Sequence, residues 1–167
     1  MVTKAFEIQS AIVRKGKHAA KITLRSDDVL EEGIAKSADS ERDELLEIKS
    51  LVSVEDVKYE FQFSMFLPES FPIVKTRLVI AQWKQYCPNN GPCSDDSPVI
   101  ALRIVSGEFY ITFQTDTGTK ILYRQKDESR NQWLDFRFQI RFSKQSNGGI
   151  EAFLNGKEII NCKGVTS

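Results

Sequence analysis

The sequence predicts an all-β fold, a sandwich or jelly roll of about ten short strands. Three observations predict it. Apolar and polar residues alternate with the period of two that a half-buried strand requires, most cleanly at Leu134, Phe136, Phe138, Ile140 and Phe142 against Asp135, Arg137, Gln139 and Arg141. Turn signals such as Ser106-Gly107, Ser146-Asn147-Gly148-Gly149 and Asn155-Gly156 recur at short intervals. No segment carries a strong helical pattern: the best candidate, residues 28–47, is interrupted by Gly33 and by a Ser/Asp cluster.

In chain order, residues 6–13 and 18–24 read as strands around the turn-like Lys15-Gly16-Lys17. Residues 26–41 are polar and form a long connection. Residues 42–49 read as a strand with polar marks. Residues 58–67 form an aromatic strand with Tyr59, Phe61, Phe63 and Met65 on one face, expected in the core because large aromatics dominate cores. Pro68 and Pro72 break it. Residues 76–84 form the next strand, followed by a loop over 86–97. Residues 98–105 and 109–115 flank the Ser106-Gly107 hairpin. Short strands follow at 119–123, after Asp116-Thr117-Gly118, then at 133–142, 150–154 and 158–160.

Length and composition set bounds. A chain of 167 residues suits one domain, here read as spanning 1–167, and can bury a core. The 23 basic and 23 acidic residues cancel, so no net field draws the chain to nucleic acid or to an anionic membrane. No apolar run approaches the roughly 20 residues of a membrane helix. Met1-Val2-Thr3-Lys4 leads into no apolar signal-peptide core. The cysteines are Cys87, Cys93 and Cys162. The first two bracket CPNNGPC, and either a disulfide in an oxidising compartment or free thiols fit that spacing. A zinc site does not fit, because the single histidine, His18, is far away in sequence. Asp27 and Asp28 could ligate a structural Ca²⁺ through oxygen, a weak signal for two adjacent acids; no cofactor is required.

The stretch LVIAQWK, residues 78–84, is the most informative. Strict alternation puts Leu78, Ile80, Gln82 and Lys84 on one face and Val79, Ala81 and Trp83 on the other. An apolar face thus ends in an amide and an ammonium, while Trp83 is expected between the sheets. Arg42-Asp43-Glu44-Leu45-Leu46 similarly sets Arg42 and Glu44 on one face. Two such strands could line a polar cleft.

The segments GKHAAKITLRSDD, ERDELLE, YEFQFSMFLPESFPI, VIAQWK, PVIALRIVSGEFYI and QWLDFRFQIRFSKQSNGGIEAFLNGKEI, in this order, resemble the jelly-roll polysaccharide lyases, nearest to the heparin lyase I-like group that includes glucuronan lyases. The resemblance covers about residues 5–160. It implies a concanavalin-like jelly-roll β-sandwich of two curved antiparallel sheets, with an anionic polysaccharide in a groove on the concave sheet. It also implies a secreted protein that acts by β-elimination at a uronate; the chain itself is read as a monomer. The enzyme must then neutralise the sugar carboxylate and stabilise the enolate-like charge, tasks suited to guanidinium and amide donors.

On the matching positions, the resemblance gives Arg42 to uronate binding and Glu44 to orienting Arg42 or a sugar hydroxyl. Gln82 matches the glutamine of a glutamine-x-histidine strand and would donate to the carboxylate. Lys84 stands where the histidine is expected; lysine supplies charge but is a poor base at neutral pH unless burial lowers its pKa. The family's tyrosine-phenylalanine-lysine-x-glycine-x-tyrosine pattern, which carries the base/acid tyrosine, is not found and would lie beyond Ser167, so the jelly roll is expected to lack its C-terminal strands. Arg103, Arg137 and Arg141 are secondary candidates for substrate binding.

Plainer readings stand beside these. Arg42 and Glu44 also suit a surface ion pair, worth under about 1 kcal/mol. Gln82 and Lys84 suit a strand end meeting water, and the row Asp135, Arg137, Gln139, Arg141 suits a solvated face. The leading expectation is a polysaccharide lyase. The alternatives are a non-catalytic carbohydrate-binding jelly roll and a structural β-sandwich.

Overall fold

A computed structural model describes residues 6–25, 45, 47–84, 98–115, 118–126 and 129–164. The chain divides into two compact units, Met1–Val52 and Ser53–Ser167.

In the first unit, β1 (Phe6–Gln9) pairs antiparallel with β2 (Ala19–Ile22). Both are shorter than the alternation predicts. The cause at β1 is local: the Gln9 side chain accepts from the backbone N–H of Ala11 (2.6 Å) and Ile12 (2.9 Å) and donates to the Ile12 carbonyl (2.6 Å). Those backbone groups are therefore turned onto one side chain and leave the ladder. The strand expected over 42–49 is not found where it can be seen. Residues 45, 47 and 48 are irregular and Lys49–Leu51 is a 3-10 turn; positions 42–44 and 46 lie outside the described residues.

The second unit is the sandwich. Its strands are β3 (Lys58–Phe66), β4 (Leu78–Trp83), β5 (Ile100–Val105), β6 (Glu108–Thr115), β7 (Gly118–Gln125), β8 (Trp133–Arg141), β9 (Gly149–Leu154) and β10 (Lys157–Lys163). They form two four-stranded antiparallel sheets, ordered β10-β9-β8-β3 and β4-β5-β6-β7. Each inner face contributes every second residue to one core. Leu134, Phe136, Phe138 and Ile140 of β8, with Ile150 and Ala152 of β9, meet Ile100, Leu102 and Ile104 of β5 and Phe109 and Ile111 of β6. Aromatic rings tie the layers: Trp83 lies 4.8 Å from Phe138 and 5.4 Å from Phe61 between ring centres, and Phe109 lies 6.3 Å from Phe136. Burying a side chain such as Phe138 stabilises by about 1.5–3 kcal/mol. This is the β-sandwich jelly roll that the alternation predicts.

Two tight turns set the registers. Ser106 (φ 52°) with Gly107 (φ 80°), and Asn155 (φ 50°) with Gly156 (φ 80°), are two-residue loops with both residues left-handed, the geometry that matches strand twist. The first forces Val105 opposite Glu108 and therefore Arg103 opposite Tyr110.

Strand β4 corrects the strict alternation read from LVIAQWK. Val79 pairs with Arg103 and Ala81 with Leu102, leaving Ile80 as a bulge without a partner. A bulged residue reverses the facing of everything beyond it. Leu78, Ile80, Ala81 and Trp83 consequently all pack against the core, while Val79 and Gln82 take the opposite, outer face. Gln82 therefore does not share its face with Leu78 and Ile80. Similar shifts leave Leu122 of β7 and Ile159 of β10 unpaired, so three of the four edge strands of the sandwich are bulged, a device that discourages edge-to-edge association.

Candidate active site

The outer face of the β4-β5-β6-β7 sheet follows from this register. One cross-strand row runs Val79, Arg103, Tyr110, Arg124; the next runs Gln82, Ala101, Thr112, Ile121. Gln82 and Arg103 occupy diagonal positions on neighbouring strands, about 7–8 Å apart at the backbone. Ala101 between them carries only a methyl group, and the Thr112 hydroxyl donates to the Ala101 carbonyl at 3.4 Å.

Arg103 is the distinctive group. It is half-buried, and its Nε is buried without a hydrogen-bond partner among the described residues. Burial, and after it the like charge of Arg77, pulls its pKa below the ordinary arginine value. A guanidinium nonetheless stays protonated. The folded protein thus holds a partly desolvated cation with an N–H aimed at nothing among the described residues, which is costly unless an anion arrives.

Directly across from Arg103, the Tyr110 hydroxyl donates a hydrogen bond to Glu108 Oε2. The same oxygen accepts from Arg124 Nε (2.9 Å) and a terminal Arg124 nitrogen (2.6 Å), and the Arg124 guanidinium lies 5.4 Å from the Tyr110 ring centre. The hydrogen bond from Tyr110, then that from Arg124, holds the Glu108 carboxyl below the usual carboxylate range. The bond to Glu108, with some burial, raises the Tyr110 phenol. Glu108 is the one acid on this outer face among the described residues of β4–β7, and its charge is already committed. Sequence reasoning missed Glu108, Tyr110 and Arg124. The signal was present: a two-residue Ser106-Gly107 loop fixes the pairing of Arg103 with Tyr110 by counting.

The other predicted positions separate. Lys84 is exposed, one residue past the end of β4. Arg137 and Arg141 project from β8 on the outer face of the opposite sheet. Sheets in a sandwich lie about 10 Å apart with the core between them, so one groove cannot hold both Arg103 and Arg137. The second outer face is internally satisfied. Arg137 sits 3.9 Å over the Phe153 ring and 3.6 Å from Glu60; Glu60 also accepts from Gln139 (2.7 Å) and Gln62 (2.5 Å), which hold its carboxyl low, Gln139 first. Lys58 pairs with Glu151 at 2.9 Å, and Ser64 donates to Asp135 at 2.7 Å. It is a solvated, self-compensating face. Arg42, Glu44, Asp27, Asp28, Cys87 and Cys93 lie outside the described residues. Among the described residues, no three His, Cys, Asp or Glu side chains gather as a metal site. A cleft of about 520 Å³ opens beside edge strands β7 and β10, lined by Tyr123, Gln125, Asn155, Lys157 and Glu158; none of the predicted site residues lines it.

The family described as polysaccharide lyase matches residues 2–167. None of the curated proteins matches the chain. The fold is similar to that of the endo-β-1,4-glucuronan lyase from the fungus Trichoderma reesei, with a TM-score of 0.64 and 16% identity over 97% of this chain and 68% of that one.

Proposed function

The chain belongs to the polysaccharide lyase family, and from that premise we propose that it cleaves a uronate-containing glycan by β-elimination on the outer face of the β4-β5-β6-β7 sheet. The observation that carries this reading is Arg103: a half-buried guanidinium with an unpartnered Nε among the described residues, on the same face as Gln82.

The chemistry asks for such a pair. In β-elimination a base removes the proton beside the uronate carboxylate, the electron pair forms a carbon–carbon double bond, the glycosidic carbon–oxygen bond breaks, and the departing oxygen takes a proton. Negative charge accumulates on the carboxylate as the proton leaves. Donors aimed at that charge stabilise the transition state more than the ground state. The Arg103 fork and the Gln82 amide are two donors on neighbouring strands of this face, and partial burial raises the value of the Arg103 contact. Arg42 and Glu44 keep the uronate-binding and orienting roles that the resemblance implies, and Lys84 adds positive charge at the end of β4. Secretion also rests on that resemblance.

Glucuronan is the first substrate to try, given the fold shared with the fungal glucuronan lyase. Incubation with glucuronan, alginate and heparin, followed by ultraviolet absorbance of the unsaturated uronate, tests the proposal; silence on all three would sink it. A second reading, a glycan-binding module without catalysis, is favoured by Lys84 at the position where the resemblance implies histidine. It predicts binding to one of these polymers, lost in Arg103→Ala, with no unsaturated product.

A further inference from the structure

The positive character of the outer face extends beyond Arg103. Arg77 immediately precedes β4, whose first pairs are Leu78 with Ile104 and Val79 with Arg103. Because Leu78 points into the core, alternation puts Arg77 on the outer face, diagonal to Arg103. Its approach is fixed one turn earlier, where the Ser106 N–H donates to the Val74 carbonyl at 2.9 Å. Arg77 is exposed, and its charge is felt at Arg103. The acid that could have compensated it, Glu108, is taken by Tyr110 and Arg124.

Along the sheet, Arg103 lies between Arg77 and Gln82. From Arg77 to Gln82 the backbone covers roughly 13 Å, at about 3.3 Å per residue with the bulged residue not counted. Donors spread over that length reach past one sugar ring. If Gln82 and Arg103 hold one carboxylate, Arg77 is left over on the far side, a second guanidinium without an acid among the described residues.

We propose that Arg77 is a specificity residue that receives the carboxylate of a second, neighbouring uronate, so that the protein selects runs of consecutive uronates over chains in which uronates alternate with uncharged sugars. The proposal rests on the reading of this face as the glycan surface and adds a substrate class to it. Two neighbouring guanidiniums repel; one carboxylate leaves one of them uncompensated, and two carboxylates neutralise both. A neutral sugar next to the held uronate gives Arg77 nothing to bind.

The test compares a homopolymer of glucuronate with a polymer alternating glucuronate and an N-acetylated neutral sugar, using calorimetric affinity and KM for wild type, Arg77→Gln, Arg77→Lys and Arg103→Ala. Expected is a rise of about tenfold in Kd and KM on the homopolymer for Arg77→Gln, the loss of one charge-assisted contact. No change is expected on the alternating polymer, and Arg77→Lys should recover part of the loss. Arg103→Ala should weaken binding to every uronate polymer that wild type binds. An Arg77→Gln protein that matches wild type on the homopolymer, or loses equally on both polymers, overturns the proposal while leaving the lyase reading intact. Wild type that ignores every uronate polymer overturns both.

Discussion

Arg103→Met separates a functional arginine from a structural one. The substitution removes a guanidinium whose Nε is buried and unpartnered among the described residues, and whose charge is repelled by Arg77. Methionine keeps the aliphatic stem that packs against the sheet. Leaving a buried polar group unsatisfied costs about 1–3 kcal/mol. Because Arg103 is only half-buried, the low end, about 1 kcal/mol, is the relevant figure, and the screened repulsion from exposed Arg77 adds little. Relieving that cost should raise Tm by about 2–4 °C for a chain of this size. The assay is thermal unfolding with and without saturating oligouronate. Wild type gains stability from the ligand, about 2.7 kcal/mol at a ligand concentration near 100 times Kd. Arg103→Met should start higher and gain almost nothing. A lower starting Tm than wild type, or an equal gain from ligand, would refute the argument that Arg103 is held in wait for an anion.

Three further outcomes follow from the same structure. Deleting Ile80 removes the unpaired residue of β4 yet keeps Leu78 and Trp83 inward and Gln82 outward, so the protein should still fold, about 1–2 kcal/mol less stable by urea unfolding for the lost partial burial; a collapse of folding would argue for unbulged alternation. Phe138→Ala empties the centre of the Phe63, Trp83 and Phe136 cluster and should cost about 3–5 kcal/mol, measured by the same unfolding curve. The lowered Glu108 carboxyl contributes stability that is present above the ordinary carboxylate range and lost as pH falls through its depressed pKa; Tyr110→Phe, which removes the leading cause of that shift, should narrow its Tm gap to wild type as the medium becomes acidic, whereas a gap independent of pH would deny the linkage.

The sandwich was legible because its inner rows are regular. Strand β8 reads in sequence as it stands in space, and the Ser106-Gly107 and Asn155-Gly156 loops can be read off their residue types, since left-handed backbone pairs favour glycine and asparagine. Strand β4 was legible only in part. Its alternation fails at Ile80 because a bulge inserts one residue, and no local residue preference announces a bulge at an isoleucine between valine and alanine. Trp83 was rightly expected between the sheets, but Leu78 and Ile80 were wrongly grouped with Gln82. The outer faces were harder still. Arg103, Arg137 and Arg141 are equivalent in sequence, each an arginine alternating with core residues; sheet order alone separates them. Glu60 and Phe153 compensate Arg137, whereas Arg103 has Arg77 for a neighbour. Of the segment over 42–49, only 45 and 47–49 are described; there polar alternation reads as a strand while Lys49–Leu51 closes into a 3-10 turn.

The most direct test of which face works is a rate comparison. Wild type, Arg103→Met and Arg137→Met are given glucuronan, and the ultraviolet absorbance of the unsaturated product is followed from time zero. The outer face of the β4-β5-β6-β7 sheet predicts loss of product formation in Arg103→Met and a near wild-type rate in Arg137→Met, whose arginine is engaged by Glu60 and Phe153 on the other side. A rate that survives Arg103→Met and falls with Arg137→Met would place the chemistry on the opposite sheet and contradict the account.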